Sequence, residues 1–373
     1  MQVIILVAGQ GNRMKPLTQN IHKSLLPLNY YENFLSRLLH QLNEYEISKV
    51  IVVTGYLSSD IEKLVTNYQL NVKCIFNERY KEDTNIYSMK LALEHIDSKE
   101  PTVILEGDVY LDDLAMRDII KVSETNKSIW FTKNKFYQFQ YGGILKKDRF
   151  DNVLDIKIVS NYEEKFSNYF KLLGIMTIGT TEINKFKKLV DYYCNISIEQ
   201  YYLVPWIEHL EEFSCISYDL GNYFVESVNT AIEFEELKIK LENLYREEKV
   251  LLIPTNDLFP IEEYIEERKE YLKEKILKEK LWIKPIIIEK EHKLILDGHH
   301  RFAVAKELGL NILPVIEIEY KDIELWSLKK SQEVTKELVI ERAKNGHIYP
   351  NKTVKHKFLF KIPYCSYSFE ELK

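Results

Sequence analysis

A glycine-rich string that directly follows the first apolar run has the composition of a phosphate-binding loop. Residues 7–14 read Val-Ala-Gly-Gln-Gly-Asn-Arg-Met. Gly9 and Gly11 would let backbone N–H groups approach a polyphosphate without a Cβ in the way. Arg13 and, further along the chain, Lys23 supply fixed positive charge for phosphates whose own charge shifts during transfer. Two glycines alone are also typical of an ordinary tight turn, so the prediction depends on the whole string.

A second group of polar residues lies in the last third of the chain. Residues 294–305 read Leu-Ile-Leu-Asp-Gly-His-His-Arg-Phe-Ala-Val-Ala. The pattern predicts a strand that ends at Asp297, a tight turn at Gly298 and a helix whose free N–H groups form an anion site, with His299, His300 and Arg301 adding charge. Adjacent histidines could bind a metal, but no Cys or carboxylate cluster at zinc spacing accompanies them in the sequence. A basic helix start without a ligand is the alternative.

The segments around the first string alternate between strand-like and helix-like patterns. Apolar, β-branched runs predict buried strands, and apolar residues at helical spacing predict helices between them. The predicted strands are 3–7, 49–54, 72–76 and 102–105, and the predicted helices are 31–45, 58–68 and 86–95. This alternation implies an α/β fold with a mostly parallel sheet, in which ligands bind at the carboxyl ends of the strands.

The length of 373 residues predicts two domains, which we place at 1–240 and 241–373. A charged helical segment at 234–249 would lead into the second domain. There we expect a strand at 250–254, a helix at 261–280 and a strand at 285–289.

Composition and charge indicate which classes of partner the protein is expected to bind. The net charge of -6 gives no overall basic field, so we expect no nucleic-acid partner. The four cysteines lie far apart, which suits reduced thiols in a cytoplasmic protein. The apolar start at residues 1–8 is too short to span a bilayer and predicts a strand, so we expect no membrane association.

The amino-terminal string resembles the signature of sugar-nucleotide pyrophosphorylase-like nucleotidyltransferases, which is close to L-A-A-G-x-G-x-R, followed by P-L-T and P-K-x-L-x-P. Here Val7 replaces the first alanine, and His22 replaces the proline before Lys23. The resemblance covers roughly residues 1–240 and implies a Rossmann-like nucleotidyltransferase. It also implies that Ala8, together with the two glycines of the loop, binds the nucleotide.

The same resemblance implies a magnesium site. Residues 103–109 read Val-Ile-Leu-Glu-Gly-Asp-Val, and residues 225–230 read Val-Glu-Ser-Val-Asn-Thr. Both are similar to the metal-binding segments of the family, so Asp108 and Asn229 would hold Mg²⁺ as hard oxygen ligands. Taken alone, Asp108 could instead be a turn residue at the end of a strand.

The segment 77–89 resembles the N-x-x-Y…N-N-I-Y-S-L stretch of bacterial choline-phosphate cytidylyltransferases, which favours CTP as the nucleotide. By this resemblance Asn85 and Ser88 would bind the nucleotide and Tyr87 the acceptor, although Tyr87 could equally be core packing. The implied reaction is an in-line attack by a phosphate oxygen of a small phosphorylated acceptor on the α-phosphorus of CTP. Lys23 would bind the acceptor phosphate or the α-phosphate, and Arg13 the leaving pyrophosphate.

The carboxy-terminal D-G-H-H-R string resembles the ParB-like, sulfiredoxin-like nucleotide-binding fold, and within it the free serine kinases. Residues 258–263 are similar to the V-x-P-H-E segment of these kinases, with Ile261 in place of histidine. Residues 349–356 are similar to P-P-K-T-x-R-H, with Lys355 in place of arginine. The resemblance implies a smaller α+β domain that uses ATP or ADP.

The roles of the kinase residues follow from that resemblance. Glu262, or its neighbour Glu263, would be the base that accepts the hydroxyl proton of the acceptor. The residues of the string, 297–301, would hold the phosphates and a metal. Thr353, Lys355 and His356 would bind the carboxylate or phosphate of the acceptor.

Together the two halves predict a bifunctional enzyme. The second domain would phosphorylate a small hydroxy amino acid or amino alcohol, with serine as the leading candidate, and the first would attach CMP to the product. In one alternative the second domain is a non-catalytic nucleotide-binding module. In another the first domain transfers a nucleotide from UTP or dTTP to a sugar 1-phosphate. A homodimer is compatible with each interpretation.

Overall fold

The computed structural model describes residues 1–244, 246–358 and 360–373, and places the chain in two compact units. Unit 1 is Met1–Leu237 and unit 2 is Lys238–Lys373. The division falls within the helix Ala231–Leu244. Among the described residues, the helices are all too short or too polar to cross a membrane.

Unit 1 alternates strands and helices along most of its length. Its strands are Gln2–Val7 (β1), Lys49–Thr54 (β2), Val72–Phe76 (β3), Thr102–Glu106 (β4), Val109–Leu111 (β5), Ser128–Lys135 (β6), Gly142–Lys147 (β7), Val153–Val159 (β8), Phe170–Ile178 (β9), Cys215–Asp219 (β10) and Val225–Ser227 (β11). Its helices are Phe34–Leu42 (α1), Ser58–Val65 (α2), Ile86–Leu93 (α3), Asp113–Ser123 (α4), Thr180–Ile196 (α5), Val204–Glu208 (α6) and Ala231–Leu244 (α7).

The main sheet of unit 1 has the strand order β10-β6-β9-β4-β1-β2-β3, with β7 and β8 attached to β9. Neighbours are parallel from β4 through β3 and between β10 and β6, whereas β9 is antiparallel to β4 and β6. The predicted mostly parallel sheet and Rossmann-like fold are therefore confirmed. Because β2 and β4 lie on opposite sides of β1, the chain changes direction across the sheet at β1, and a ligand crevice is expected at the carboxyl ends of β1 and β4.

Alternate residues of β1 are buried on the two faces of the sheet. Val3 and Ile5 pack into the cluster that contains the apolar sides of α1, α2 and α4. Ile4 and Leu6 pack into the opposite cluster with α3, α5 and Trp206 of α6. Each such side chain contributes about 1.5–3 kcal/mol on burial. A strand covered on both faces needs a continuous apolar run, and that is the sequence pattern that predicted β1.

Unit 2 is smaller and mixes short strands with four helices among its described residues. Its strands are Arg246–Glu247 (β12), Leu251–Pro254 (β13), Phe259–Pro260 (β14), Leu281–Trp282 (β15), Ile286–Glu289 (β16), Leu294–Asp297 (β17), Ile312–Ile318 (β18), Glu324–Ser327 (β19), Val354–Lys357 (β20), Phe360–Lys361 (β21) and Tyr367–Ser368 (β22). Its helices are Glu266–Glu279 (α8), His299–Glu307 (α9), Lys336–Lys344 (α10) and Phe369–Leu372 (α11). A mixed sheet of order β13-β18-β16-β17-β14 forms its centre.

The helix predicted at 261–280 begins five residues later, at Glu266. The backbone N–H groups of Ile261 and Glu262 donate to Nε2 of His299, and that of Ile265 donates to Nε2 of His300. If the helix began at residue 261, these N–H groups would lie in its first turn and would have no partner within the helix. Here hydrogen bonds to the two histidines satisfy them instead. The sequence could not show this, because the two histidines lie more than thirty residues away.

Candidate active site

The glycine loop and Asp108 lie side by side in unit 1. The parallel register of β1 and β4 pairs Leu6 with Glu106, so the residues after each strand meet at the same edge of the sheet. Gly107 donates its N–H to the Leu6 carbonyl at 3.1 Å. A Cβ on Gly107 would lie 2.1 Å from Cγ1 of Val7, so glycine is required where the loops approach.

The loop itself is held by side chains that follow it. Gly11 has φ of 63°, a conformation that favours glycine, and its carbonyl accepts the Thr18 hydroxyl at 2.8 Å. Gly9 has open space at its Cβ position, as a ligand approaching the backbone requires. His22 is buried and shares a 2.7 Å hydrogen bond with the Ser24 hydroxyl. Burial lowers the pKa of His22 to about 4, so the residue that replaces proline is neutral here.

Lys23 and Asp108 form an ion pair at this edge. Lys23 opens a short 3₁₀ turn, Lys23–Leu25, that follows the glycine loop in sequence. Its ammonium contacts Oδ2 of Asp108, whereas Oδ1 of Asp108 is buried without a hydrogen-bond partner among the described residues. A buried carboxylate oxygen without a donor is costly unless a cation or a ligand approaches it.

Asn229 reaches the same place through a two-stranded ladder. β11 and β5 are antiparallel and pair Ser227 with Val109, so the chain after Ser227 runs beside Asp108. Val228 donates its N–H to the Asp108 carbonyl at 3.1 Å. Oδ1 of Asn229 accepts a 2.8 Å hydrogen bond from Arg13. The structure thus brings Arg13, Lys23, Asp108 and Asn229 together, and the unpartnered Asp108 oxygen is of the kind that Mg²⁺ prefers.

Two residues that sequence reasoning missed support this group. Glu233 accepts the N–H groups of Asn229 and Thr230, and the Tyr141 hydroxyl donates to its other oxygen at 3.1 Å. Arg13 lies over the Tyr141 ring at 5.9 Å. Burial and the neighbouring Glu233 raise the pKa of Tyr141 to about 12. Thr230 and Glu233 have the spacing of a helix capping box, which was the available signal in the sequence.

In unit 2 the D-G-H-H-R string has the predicted local structure. β17 ends at Asp297, Gly298 adopts φ of 107°, and α9 begins at His299. Arg301 donates to Oδ2 of Asp297 at 2.7 Å and to the carbonyls of Lys284 and Pro285. Arg301 therefore fixes the turn as well as carrying charge.

The two histidines of the string add no positive charge, contrary to expectation. Each uses Nε2 to accept backbone N–H groups of the segment 261–265. Burial lowers the pKa of His299 and of His300 to about 4. Both rings are therefore neutral at physiological pH, and each Nδ1 carries the proton.

Glu262 joins this region to the carboxy-terminal tail. Its Oε1 accepts the N–H of Thr353 at 2.7 Å and also that of Val354. Glu263 is exposed, and its backbone N–H donates to the Tyr349 carbonyl at 2.9 Å. Glu262 is thus the carboxylate of the pair that is directed towards the tail.

The three tail residues predicted to bind the acceptor have different environments. The Thr353 hydroxyl is buried and donates to the Pro350 carbonyl at 2.7 Å. His356 is buried between the rings of Tyr320 and Phe358, and burial lowers its pKa to about 3. Lys355 lies on β20 opposite Trp326 of β19.

A cleft of about 520 Å³ opens beside α9. Glu262, Glu263, Tyr264, His299, Phe302 and Lys306 are among its lining residues. It brings Glu262 and His299 together, whereas Asp297, Arg301 and the three tail residues are not part of its lining. A carboxylate, a lysine and aromatic rings in one cleft can bind a small polar molecule.

Comparison with known proteins finds a family match in unit 1, over a range that includes Arg13, Lys23 and Asp108 but not Asn229. Residues 2–165 match the family model described as Nucleotidyl transferase. Unit 1 carries a nucleotidyl transferase domain. The choline-phosphate cytidylyltransferase of Haemophilus influenzae is 38% identical over 112 residues, which are 30% of this chain and 46% of that protein. The chain thus spans about half the length of the curated relatives that it matches.

A solved structure supports the fold of the nucleotidyl transferase domain. The CTP:phosphocholine cytidylyltransferase of Streptococcus pneumoniae aligns with a TM-score of 0.56 and 21% identity, over 64% of this chain and 98% of that one. A further relative is named for a different reaction. The ATP-dependent L-serine kinase of Staphylothermus marinus is 41% identical over 76 residues, which are 19% of this chain and 30% of that protein.

Asp83 organises the third predicted segment of the nucleotidyl transferase domain. Its carboxylate accepts the N–H groups of Tyr87 and Ser88, the Ser88 hydroxyl at 2.6 Å and the amide of Asn77. Ser88 is therefore buried and engaged, and Oδ1 of Asn85 accepts the Tyr202 N–H. Tyr87 is half-buried under the Arg79 guanidinium, 5.5 Å from the ring centre. Nucleotide binding by Asn85 and Ser88 stays a prediction, as does acceptor binding by Tyr87.

Proposed function

We propose that unit 1 transfers CMP from CTP to a small phosphorylated acceptor and releases pyrophosphate. The observation that carries the proposal is the arrangement around Asp108, where one oxygen pairs with Lys23 and the other is buried without a partner. Relatives named for cytidylyl transfer support CTP as the donor, among them the 2-aminoethylphosphonate cytidylyltransferase of Lancefieldella rimae, which is 31% identical over 110 residues.

The residues of unit 1 divide the work of this reaction. Asp108 and Asn229 would hold Mg²⁺, which neutralises the charge that develops on the transferred phosphate. Backbone N–H groups of the glycine loop bind the CTP phosphates, and Arg13 binds the pyrophosphate that leaves. Lys23 exchanges its contact with Asp108 for a contact with the α-phosphate. A phosphate oxygen of the acceptor forms the new bond to the α-phosphorus, the bond to the β-phosphate oxygen breaks, and no protein proton is consumed.

For unit 2 we propose a kinase of the ParB-like, sulfiredoxin-like class that phosphorylates the hydroxyl of a small hydroxy amino acid or amino alcohol, with serine first. The cleft with Glu262 and the local similarity to an L-serine kinase support it. Glu262 accepts the hydroxyl proton, the oxygen attacks the terminal phosphorus of ATP or ADP, and the shortened nucleotide leaves. We place the start of this kinase domain near residue 240. We also propose that residues 297–301 bind the phosphates of its nucleotide.

One assay with two variants tests both halves. Purified protein is given CTP, UTP, dTTP or GTP with Mg²⁺ and a panel of phosphoserine, phosphoethanolamine, phosphocholine and sugar 1-phosphates, and pyrophosphate is measured. Kinase activity is followed with ATP or ADP and the free alcohols. We expect Asp108→Asn to abolish pyrophosphate release and to retain phosphorylation of the alcohol. We expect Glu262→Gln to abolish phosphorylation and to retain pyrophosphate release from the phosphorylated acceptors. Glu263→Gln is the matched control.

The outcomes separate the alternatives. A signal only with UTP or dTTP and a sugar 1-phosphate would replace the cytidylyltransferase proposal. Nucleotide binding by unit 2 without phosphorylation of any alcohol would identify it as a non-catalytic module. That alternative has one observation in its favour, since His299, His300 and Arg301 all contact protein groups in the structure.

A further inference from the structure

Lys171 places a lysine ammonium at the edge of the unit 1 site, and the roles proposed above do not use it. β9 is the neighbour of β4 on the side away from β1. The two strands are antiparallel, and Leu105 near the end of β4 pairs with Ile175 of β9. The residues of β9 that precede Ile175, down to Lys171, therefore extend beyond the carboxyl end of β4. Lys171 therefore lies beyond the last residue of β4, where Asp108 also lies, and the glycine loop lies on the other side of β4.

Among the residues that the structure describes, the Lys171 ammonium forms no ion pair. Its Nζ donates hydrogen bonds to the carbonyls of Gly143 at 3.3 Å and Leu172 at 3.0 Å. Burial lowers its pKa to about 8, against the opposing effect of Glu106 and Glu233 at longer range. An ammonium that is removed from water and has only carbonyl partners is costly, and a bound anion would offset this cost.

The neighbouring backbone carries no side chain where it passes the ammonium. Gly142 has φ of 93°, and a Cβ there would lie 3.3 Å from Nζ of Lys171. Glycine at this position therefore keeps the approach to the ammonium open. Glu106 and Glu233, the two carboxylates whose charge acts on Lys171, are also those that lie beside Asp108 and Asn229.

The position of Lys171 relative to β4 indicates which anion it binds. An in-line displacement requires the attacking and leaving oxygens to lie on opposite sides of the α-phosphorus. The glycine loop and Arg13 are assigned to the CTP phosphates, so the attacking group enters from the side of β4 that carries β9. We propose that Lys171 is a further substrate-binding residue of unit 1 and holds the phosphate group of the acceptor. The inference rests on the proposed cytidylyl transfer.

Initial rates of pyrophosphate release test the assignment. The wild-type protein is first given CTP, Mg²⁺ and phosphoserine, phosphoethanolamine or phosphocholine, and the acceptor with the largest signal is used afterwards. KM is then measured separately for that acceptor and for CTP. We expect Lys171→Met to raise KM for the acceptor by about 10- to 100-fold, the loss of one charged hydrogen bond, and to leave KM for CTP unchanged. Lys146→Met is the matched control, because Lys146 is exposed on the adjacent strand β7.

Each result decides the question. An equal rise of KM for CTP and acceptor, or no rise at all, would overturn the assignment while leaving cytidylyl transfer intact. Wild-type protein that releases no pyrophosphate with any acceptor would instead refute the proposed function. If Lys171→Met does not fold, Lys171→Gln replaces it, because an amide can still donate to the Gly143 carbonyl without carrying charge. A folded Lys171→Gln with the wild-type acceptor KM also overturns the assignment.

Discussion

Unit 2 should lose stability between pH 7.5 and pH 5.0 because of its buried histidines. His299 is buried where it accepts two backbone N–H groups, and His356 is buried between two aromatic rings. Burial holds their pKa values at about 4 and about 3, below the ordinary 6.5. Protonation at mild acidity is therefore confined to the unfolded chain.

The direction and size of this change in the free energy of unfolding follow from proton linkage. Because the folded-state pKa values are depressed, the stabilisation is complete above pH 6.5 and is lost as pH falls towards 4. At pH 5.0 protonation of each histidine stabilises the unfolded state by about 2 kcal/mol, so His299 and His356 together lower the free energy of unfolding by about 4 kcal/mol. His300 acts in the same direction. Most carboxylates remain ionised at pH 5.0, which keeps their contribution small.

Hydrogen exchange measures this loss in unit 2 separately. Peptides that cover β16 to β18, corrected for the intrinsic pH dependence of exchange, give the opening free energy at the two pH values. His356→Gln removes one titrating ring and should reduce the difference by about 2 kcal/mol. His347→Gln is the control, because His347 is exposed. Equal protection at both pH values, or an unchanged difference in His356→Gln, would refute the argument.

Three further predictions concern unit 1. Gly107→Ala should destabilise the protein by about 1–3 kcal/mol in urea unfolding, because its Cβ would overlap Val7; an unchanged midpoint would count against the close loop contact. Asp83→Ala should cost about 2 kcal/mol, since four donors lose their acceptor: the N–H and hydroxyl of Ser88, the Tyr87 N–H and the Asn77 amide; an unchanged midpoint in the same unfolding assay would contradict this. The ratio kcat/KM for the acceptor should fall above pH 8, where Lys171 loses its proton, and Lys171→Arg should move the fall upward; a flat wild-type profile to pH 9.5 would contradict it.

The central strands of unit 1 could be predicted from sequence because they are buried on both faces. β1 and β2 are nearly continuous apolar runs, and β2 lies where it was expected, at Lys49–Thr54. The helices were predicted longer than they are: residues 31–45 contain a helix only at Phe34–Leu42. Here Asn33 and Ser36 form a capping box that starts the helix. Local hydrogen bonds of this kind set helix ends more than apolar spacing does.

The candidate sites could be predicted only where local sequence determines them. The turn at Gly298 followed from the residue types, because a strand, a glycine and a helix are encoded consecutively. The direction of the His299 ring could not be predicted, since its partners belong to a segment distant in sequence. Lys171 carried no signal at all: a lysine in a strand is usually exposed, and only the antiparallel pairing of β9 with β4 brings it beside the site.

The charges of unit 1 fix the order of the two proposed reactions. In the structure Lys23 is paired with the Asp108 carboxylate, whereas the hydrogen-bond partners of Lys171 among the described residues are carbonyl groups. A free alcohol would leave Lys171 without an anion, while a phosphomonoester brings two negative charges to it. We therefore expect phosphorylation in unit 2 to precede cytidylyl transfer. With the free alcohol, CTP and ATP or ADP, the Glu262→Gln variant should release no pyrophosphate, and release should return when the phosphorylated acceptor is supplied. Release from the free alcohol by this variant would show that unit 1 accepts an uncharged hydroxyl.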